Sequence, residues 1–382
     1  MNPEDSPSPP KLPGLYIHIP FCRTKCPYCG FFSSTDLSAR HDFLEALALE
    51  MEMYQEIFPD FDTIYIGGGT PSLLSTWELQ MLFHRIHRTF RISPSAEITV
   101  EINPGSVKPD FFLELARCGV NRVVLGIQSF DPQALSFLGR THSVEDGGLS
   151  IQWAKESGFA NIGIDLIYAI PGQDVGRWLE TLDQAIGFSP AHISCYELTI
   201  EPNTPLEIRY RRGEFRRPDE KALHEFFWAT VEALEKAGFI QYEVSNFASE
   251  PRWICRHNQK YWEHTEYLGL GPSAHSFSRN CRWWNTDSLF EYSSKLKRNQ
   301  KPVEGMESLS LEEIRLEALA LAFRTKKGLE FSHFFRKYGW DLWKEKREIF
   351  LNLEKVGLIE LDDGRAIPTR RGLAVADRLA LI

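Results

Sequence analysis

Residues 15–32 read LYIHIPFCRTKCPYCGFF. The first five are β-branched, aromatic or leucine apart from His18, and Pro20 stops the run, so LYIHI (15–19) predicts a strand. The chain then passes without a linker into a loop holding Cys22, Cys26 and Cys29, spaced C-x3-C-x2-C. α/β folds place their chemistry on loops that leave the carboxyl ends of strands. The loop therefore poses one question: what takes three neighbouring thiolates with no fourth beside them.

Outward from the loop, apolar runs alternate with helical patterns. LSARHDFLEALALEMEMYQEIF predicts a long amphipathic helix, and TIYIGGG (63–69) a strand ending in glycines. TWELQMLFHRIHRTF follows as a helix with Ser75 or Thr76 as its cap. AEITVEINP (96–104), RVVLGIQSF (122–130), NIGIDLIYAIPG (161–172) and HISCYELTI (192–200) predict further strands. Helices PDFFLELARCG, VEDGGLSIQWAKESG and VGRWLETLDQAIGF fall between them. Strands rich in Val and Ile that alternate with helices imply a parallel sheet covered on its faces. Six such units predict an incomplete (β/α)6 barrel in place of the full eight. The cysteine loop, GGGTP, Glu101, Gln128 and Asp165 all fall at or near predicted carboxyl ends, which points to one site.

Around residue 305 the pattern changes to three helices, a pair of short strands about the DDG turn of LIELDDGRAIPT, and a last helix. This predicts a winged-helix-like α+β module over 305–382, acting as a lid or packing domain, after a barrel over 14–300. Residues 1–13, MNPEDSPSPPKLP, read as a disordered tail and as neither a secretory signal nor a transit peptide. The 382 residues carry a formal net charge of −9, which argues against a general nucleic-acid binder but leaves room for a local basic patch. No apolar run approaches the ~18 residues of a membrane span. Cys118, Cys195, Cys255 and Cys281 are scattered, so the seven cysteines are not a disulfide framework, and a reducing cytoplasmic setting is expected.

Three chemistries suit the cysteine loop. A structural zinc ion takes four closed ligands, and here the fourth would have to be His18 or a distant cysteine; a redox pair would need only two of the three. An iron–sulfur cubane held by three thiolates instead leaves one iron open to a ligand.

C-x3-C-x2-C after a first strand resembles the signature of the radical S-adenosylmethionine (SAM) superfamily. That resemblance implies a 4Fe-4S cluster on Cys22, Cys26 and Cys29, with SAM chelating the open iron and an electron from the cluster cleaving its sulfonium to a deoxyadenosyl radical. YIHIPFC, GGGTPSLL, VEINPG, GIQSF, IDLIYAIPGQ, YEVSNFA and HNQKYW further resemble the coproporphyrinogen-oxidase-like branch, which comprises oxygen-independent coproporphyrinogen III oxidases and heme chaperones. The branch implies that Tyr16 and Tyr28 flank SAM, that Gly68, Gly69 and Thr70 lie against it, and that Glu101 meets its cationic groups. Gln128, Arg140 and Asp165 match positions that hold a second SAM in the oxidases.

The oxidases continue as C-x3-C-x2-C-x-C and carry a longer segment before the cluster; here the further cysteine is Phe31 and the cluster begins at Cys22. His257, Asn258, Tyr261 and Trp262 in CRHNQKYW match the HNxxYW motif of the heme chaperones, with Cys255 and His275 as further iron-ligand candidates. The resemblance thus implies a chaperone that binds heme and passes it to an acceptor protein, with an electron donor for the cluster and a possible homodimer. The alternatives are the oxidase itself, converting two propionates to vinyl groups, and a radical enzyme acting on another tetrapyrrole.

Overall fold

A computed structural model describes residues 11–379. Six strands run parallel in sequence order: β1 (Gly14–Ile19), β2 (Asp60–Gly68), β3 (Arg91–Ile102), β4 (Arg122–Gln128), β5 (Asn161–Tyr168) and β6 (His192–Glu197). Helices α1 (Arg40–Tyr54), α2 (Thr76–Thr89), α3 (Pro109–Arg117), α4 (Pro132–Phe137), α5 (Val144–Glu156) and α6 (Val175–Gly187) make the crossovers. These are the expected units of a partial barrel, with α4 as an extra turn. Ser75 caps α2 in a capping box with Glu78, which is why the helix begins where its sequence signal lies.

After β6 come α7 (Pro205–Arg211), α8 (Glu220–Lys236), β7 (Ile240–Gln241), β8 (Asn246–Ala248), α9 (Arg256–Trp262), β9 (Tyr267–Leu270), β10 (His275–Ser278), β11 (Cys281–Asn285), α10 (Leu289–Lys297) and β12 (Val303–Ser308). The sheet has twelve strands in the order β12-β11-β10-β9-β1-β2-β3-β4-β5-β6-β8-β7. β9 lies parallel to β1 and β8 antiparallel to β6, so the six-stranded core is extended at both sides. β12 pairs with β11, which corrects the expected boundary: residues 303–308 belong to the large sheet, and the C-terminal module starts beyond them. That module has its own core, built from Leu319, Phe323, Phe334 and Phe350, on α11 (Leu311–Phe323), α12 (Phe331–Tyr338) and α13 (Leu342–Lys355). Its three-stranded antiparallel sheet is β13 (Leu329–Glu330), β14 (Ile359–Asp362) and β15 (Arg365–Pro368).

Residues 1–10 of the expected tail lie outside the described residues. Residues 11–13 are packed instead of loose: Lys260 donates to the Leu12 carbonyl at 2.6 Å, and Lys11 pairs with Glu263.

Candidate functional site

The cysteine loop is held at its neck by backbone pairing. Cys22 N–H donates to Ser34 O (3.0 Å) and Ser34 N–H to Pro20 O (2.7 Å). Phe21, fully buried, meets Phe43 of α1 edge-on at 5.4 Å, an aromatic contact worth about 0.5–1.5 kcal/mol beyond its area. Inside the loop Cys29 N–H donates to Cys26 O (3.1 Å), and Leu206 of α7 donates to Pro27 O (2.8 Å). His18 Nε2 lies 2.8 Å from the Phe32 carbonyl and Nδ1 lies 3.0 Å from the Tyr16 hydroxyl. A carbonyl only accepts, so Nε2 carries the proton and Tyr16 donates to Nδ1. Burial lowers the pKa of His18 and keeps it in that neutral form.

The thiols face polar donors. Thr70 Oγ1 lies 3.4 Å from Cys22 Sγ, and Arg140 Nη1 lies 3.6 Å from Cys26 Sγ. Arg140 Nη2 also donates to Asn103 Oδ1 and Gly126 O, both at 2.8 Å, while Asn103 Nδ2 donates to Thr70 Oγ1 at 2.9 Å. Thr70, Asn103 and Arg140 thus form one chain of hydrogen bonds that ends on two of the three sulfurs. Hydrogen-bond donors aimed at sulfur suit metal-bound thiolates, the ligands of an iron–sulfur cluster. Burial raises the pKa of the Cys29 thiol. These residues therefore fit a thiolate-held cluster.

The glycines after β2 answer to the neighbouring strand. Gly68 sits at φ +103°, and a Cβ there would fall 2.3 Å from His18 Nδ1. Only glycine leaves room for the imidazole that holds the loop. Gly69 N–H donates to Ile19 O (2.9 Å), closing β2 against the start of the loop.

Glu101 is the acceptor at the middle of the site. It takes the Tyr65 hydroxyl at 2.7 Å and the Gly68 N–H at 3.2 Å. Burial, reinforced by Asp165, pushes its carboxyl up to about 7, and burial raises Asp165 to about 6. The buried Arg122 guanidinium partly opposes the rise of both acids but does not cancel it. Gln128 has φ +66° at the carboxyl end of β4, a backbone conformation that costs a non-glycine residue of order 1–3 kcal/mol. Tyr28 packs against a small buried apolar group that includes Leu138 and Leu206, and burial raises its pKa.

The structure brings Gly68, Thr70, Glu101, Arg140 and the cysteines to the carboxyl side of the sheet, with Tyr16 in mid-β1 reaching them through its hydrogen bond to His18. Arg140 is drawn to Cys26. Sequence reasoning missed Asn103, although it lies within the quoted VEINPG, and missed His18 as the holder of the loop. It also missed Arg122, a buried guanidinium whose inward direction is signalled only by an arginine opening the apolar run RVVLGIQ.

The CRHNQKYW segment is placed elsewhere. α9 closes the opposite, amino-terminal end of the strands. His257 is buried, with Nδ1 2.9 Å from Thr63 Oγ1 and Nε2 3.0 Å from the Tyr261 hydroxyl. Burial lowers its pKa to about 3. Both ring nitrogens are thus engaged within the protein. Glu97 accepts the backbone N–H groups of Arg256 and His257 and the Cys255 thiol, and burial pushes that thiol up to about 12. The Trp262 ring faces Arg324 at the end of α11, and Asn258 is half-buried. His275 is exposed at the start of β10.

Known proteins carry the same layout. The Radical SAM superfamily model matches residues 16–185, and the HemN C-terminal domain model matches 309–375, where the small module begins. A heme chaperone HemW of Mycobacterium tuberculosis is 34% identical over 97% of this chain and 95% of its own length. HemW of Bacillus subtilis is 32% identical over 94% and 96%, and HemW of Escherichia coli 39% over 69% and 70%. The solved coproporphyrinogen III oxidase HemN of Escherichia coli shares the fold, with TM-score 0.84 and 22% identity over 97% of this chain and 90% of its own. With three thiols at the end of β1, a polar chain reaching their sulfurs, and near full-length likeness to such relatives, the chain belongs to the heme chaperone HemW family of the radical SAM superfamily.

Proposed function

We propose that the protein binds heme and transfers it to an acceptor protein, and that Cys22, Cys26 and Cys29 hold a 4Fe-4S cluster whose open iron takes S-adenosylmethionine. The observation that carries this reading is likeness over nearly the whole chain to relatives named heme chaperones. When bound, the cluster and SAM supply one-electron chemistry and an exchangeable ligand. Tyr16, Tyr28, Gly68, Gly69 and Thr70 border the SAM position, and Glu101 meets its positive charge. Gln128 and Asp165 line the cavity beyond. Arg140, matched to a second-SAM position, also points its guanidinium at Cys26 Sγ.

In this reading His257, Asn258, Tyr261 and Trp262 serve heme binding by fixing the floor of the barrel. Their packing keeps α9 seated under the sheet and shapes the cavity above it. An electron donor, a homodimer and a cytoplasmic setting complete the proposal. Among the described residues no helix is long and apolar enough to cross a membrane.

The exposed Phe31 stands where the oxidases have a further cysteine, and it offers no thiolate there. The test is a direct comparison. The anaerobically reconstituted protein is given SAM with coproporphyrinogen III in one sample and hemin in another. A Soret shift with hemin and no porphyrinogen turnover supports the reading; formation of protoporphyrinogen overturns it. Cys22→Ala, Cys26→Ala and Cys29→Ala should each abolish the cluster's visible absorption, and a cluster retained in all three would remove the ligand assignment.

A further inference from the structure

Arg122 opens β4 and is buried, yet its Nε and Nη1 meet no hydrogen-bond acceptor among the described residues. It stands on the inward face of the sheet. Tyr16, Tyr65, Thr99 and Arg122 are register partners in one row across β1 to β4. Glu101, Val124, Gly163 and His192 make the next row toward the carboxyl edge. The guanidinium rises from its own row into that one. A Cβ at Gly163 would fall 3.4 Å from Arg122 Nη2 and 3.7 Å from His192 Nδ1, so Arg122 borders the room that the glycine leaves open. Side chains two apart on a strand share a face, and the next residue of β5 on this face is Asp165. Gly67 makes the matching room on β2, since a Cβ there would fall 2.8 Å from the Glu101 carboxylate. Two inward glycines thus admit a guanidinium and a carboxyl to the same level of the barrel.

Three carboxyls share this interior with Arg122. Glu97, toward the floor, is committed to the backbone N–H groups of Arg256 and His257 and to the Cys255 thiol. Glu101 and Asp165 lie toward the cluster. Two carboxyls in one buried site oppose each other's ionisation, and a cation beside them relieves that opposition. An arginine keeps its charge when buried, so Arg122 supplies such a cation at every working pH. Two ionised carboxyls with one guanidinium leave a single net negative charge, which suits a cationic ligand; without the guanidinium one carboxyl must stay protonated.

We propose that Arg122 is a positioning residue of the SAM site: beside Gly163, its guanidinium is the counter-charge that lets Glu101 and Asp165 both ionise as the cationic ligand binds. The proposal rests on the SAM-binding reading above. Burial raises both carboxyls, Asp165 adds to the rise of Glu101, and Arg122 works against it in each. The other titratable groups facing them stay neutral at pH 7. Burial lowers the imidazoles of His192 and His257, and it raises the Cys255 thiol and the phenols of Tyr16, Tyr65, Tyr242 and Tyr261.

The test is equilibrium dialysis of labelled SAM against the full chain, with its cluster reconstituted anaerobically, from about pH 6 to about pH 9. In Arg122→Met the affinity should be at least about tenfold weaker at pH 7 and should still be rising at the alkaline end, because loss of the cation moves the carboxyl titration up by about one pH unit or more. Arg122→Lys keeps the charge and should recover most of the wild-type profile. A purely structural role would weaken binding equally at every pH. An Arg122→Met profile that matches the wild type, or that is weaker by the same factor throughout, would overturn the proposal while leaving SAM binding intact. Where Arg122→Met fails to hold its cluster, the double variant Arg122→Met, Asp165→Asn removes the unbalanced carboxylate and should hold it again; failure to do so would also overturn the proposal. Absence of SAM binding by the wild-type chain would overturn the SAM reading itself, and this proposal with it.

Discussion

Arg140 Nη1 lies 3.6 Å from Cys26 Sγ, and its other terminal nitrogen is fixed by Asn103 and Gly126. A single guanidinium thus ties the turn between α4 and α5 to the middle cysteine of the loop after β1. The planar fork makes these three contacts at once, which a lysine ammonium on a flexible stem cannot reproduce.

Arg140→Gln should leave the three thiolates able to hold a cluster but remove a positive charge beside one of them. The reduced cluster carries the extra electron, so it loses more stabilisation than the oxidised one. The reduction potential should fall by some tens of mV, on the order of 1 kcal/mol for a one-electron couple. A redox titration reads this directly. An unchanged potential would show that the guanidinium does not act on the cluster.

Glu101 is pushed up to about 7 by burial, and the ligand proposed for its cavity is cationic. Binding a cation favours the ionised carboxylate, so SAM uptake must release a proton wherever Glu101 is still protonated. SAM affinity should rise from about pH 6 to about pH 8 and then level off as the free carboxyl ionises. Glu101→Gln should bind more weakly and lose the slope. Equilibrium dialysis with labelled SAM across that range decides it.

Much of this site was legible because its parts lie close together in sequence or at strand ends. The cysteines, GGGTP and Glu101 follow predicted strands, and the parallel order β1 to β6 places them side by side. The contacts that organise them were not legible. His18 meets Phe32 and Gly68, and Thr63 meets His257 across 194 positions, through pairings with no periodic signal. The edge strand β12, VEGMES, is mostly exposed, with Glu304, Met306, Glu307 and Ser308 all open to solvent, and offers no apolar face to read, so the boundary at 305 cut through it. β7 and β8 have two and three residues, too short for alternation to show.

Glu50 anchors the extension of the sheet to α1. Fully buried, it accepts from Tyr292 and Asn285 (both 2.6 Å) and from Gly271 N–H (2.8 Å). These donors favour the carboxylate, but burial outweighs them and raises its pKa from 4.5 to about 7. A raised folded-state value means the contribution is fully present below pH 4.5 and is lost as pH rises through about 7. The ionised form carries a penalty on the order of 3 kcal/mol. Glu50→Gln should flatten the difference in denaturation midpoint across that window. Its amide must oppose one existing donor, so overall stability should fall by about 1–3 kcal/mol.

His257 carries the opposite sign. Its pKa falls from 6.5 unfolded to about 3 in the folded protein, because burial and the neighbouring Lys260 disfavour the imidazolium. Stability from this group is fully present above pH 6.5 and is lost as pH falls toward 3. His257→Phe should therefore remove part of the acid sensitivity while leaving the Thr63 and Tyr261 hydroxyls without their partner, at about 1–3 kcal/mol for each one left unsatisfied. Thermal unfolding of the cluster-free, heme-free chain separates these effects, since neither cofactor is then present to bias the result. A large loss of stability at pH 7, together with a flatter acid limb, would assign His257 to the floor of the barrel. An unchanged melting curve with lost hemin binding would instead return it to the iron.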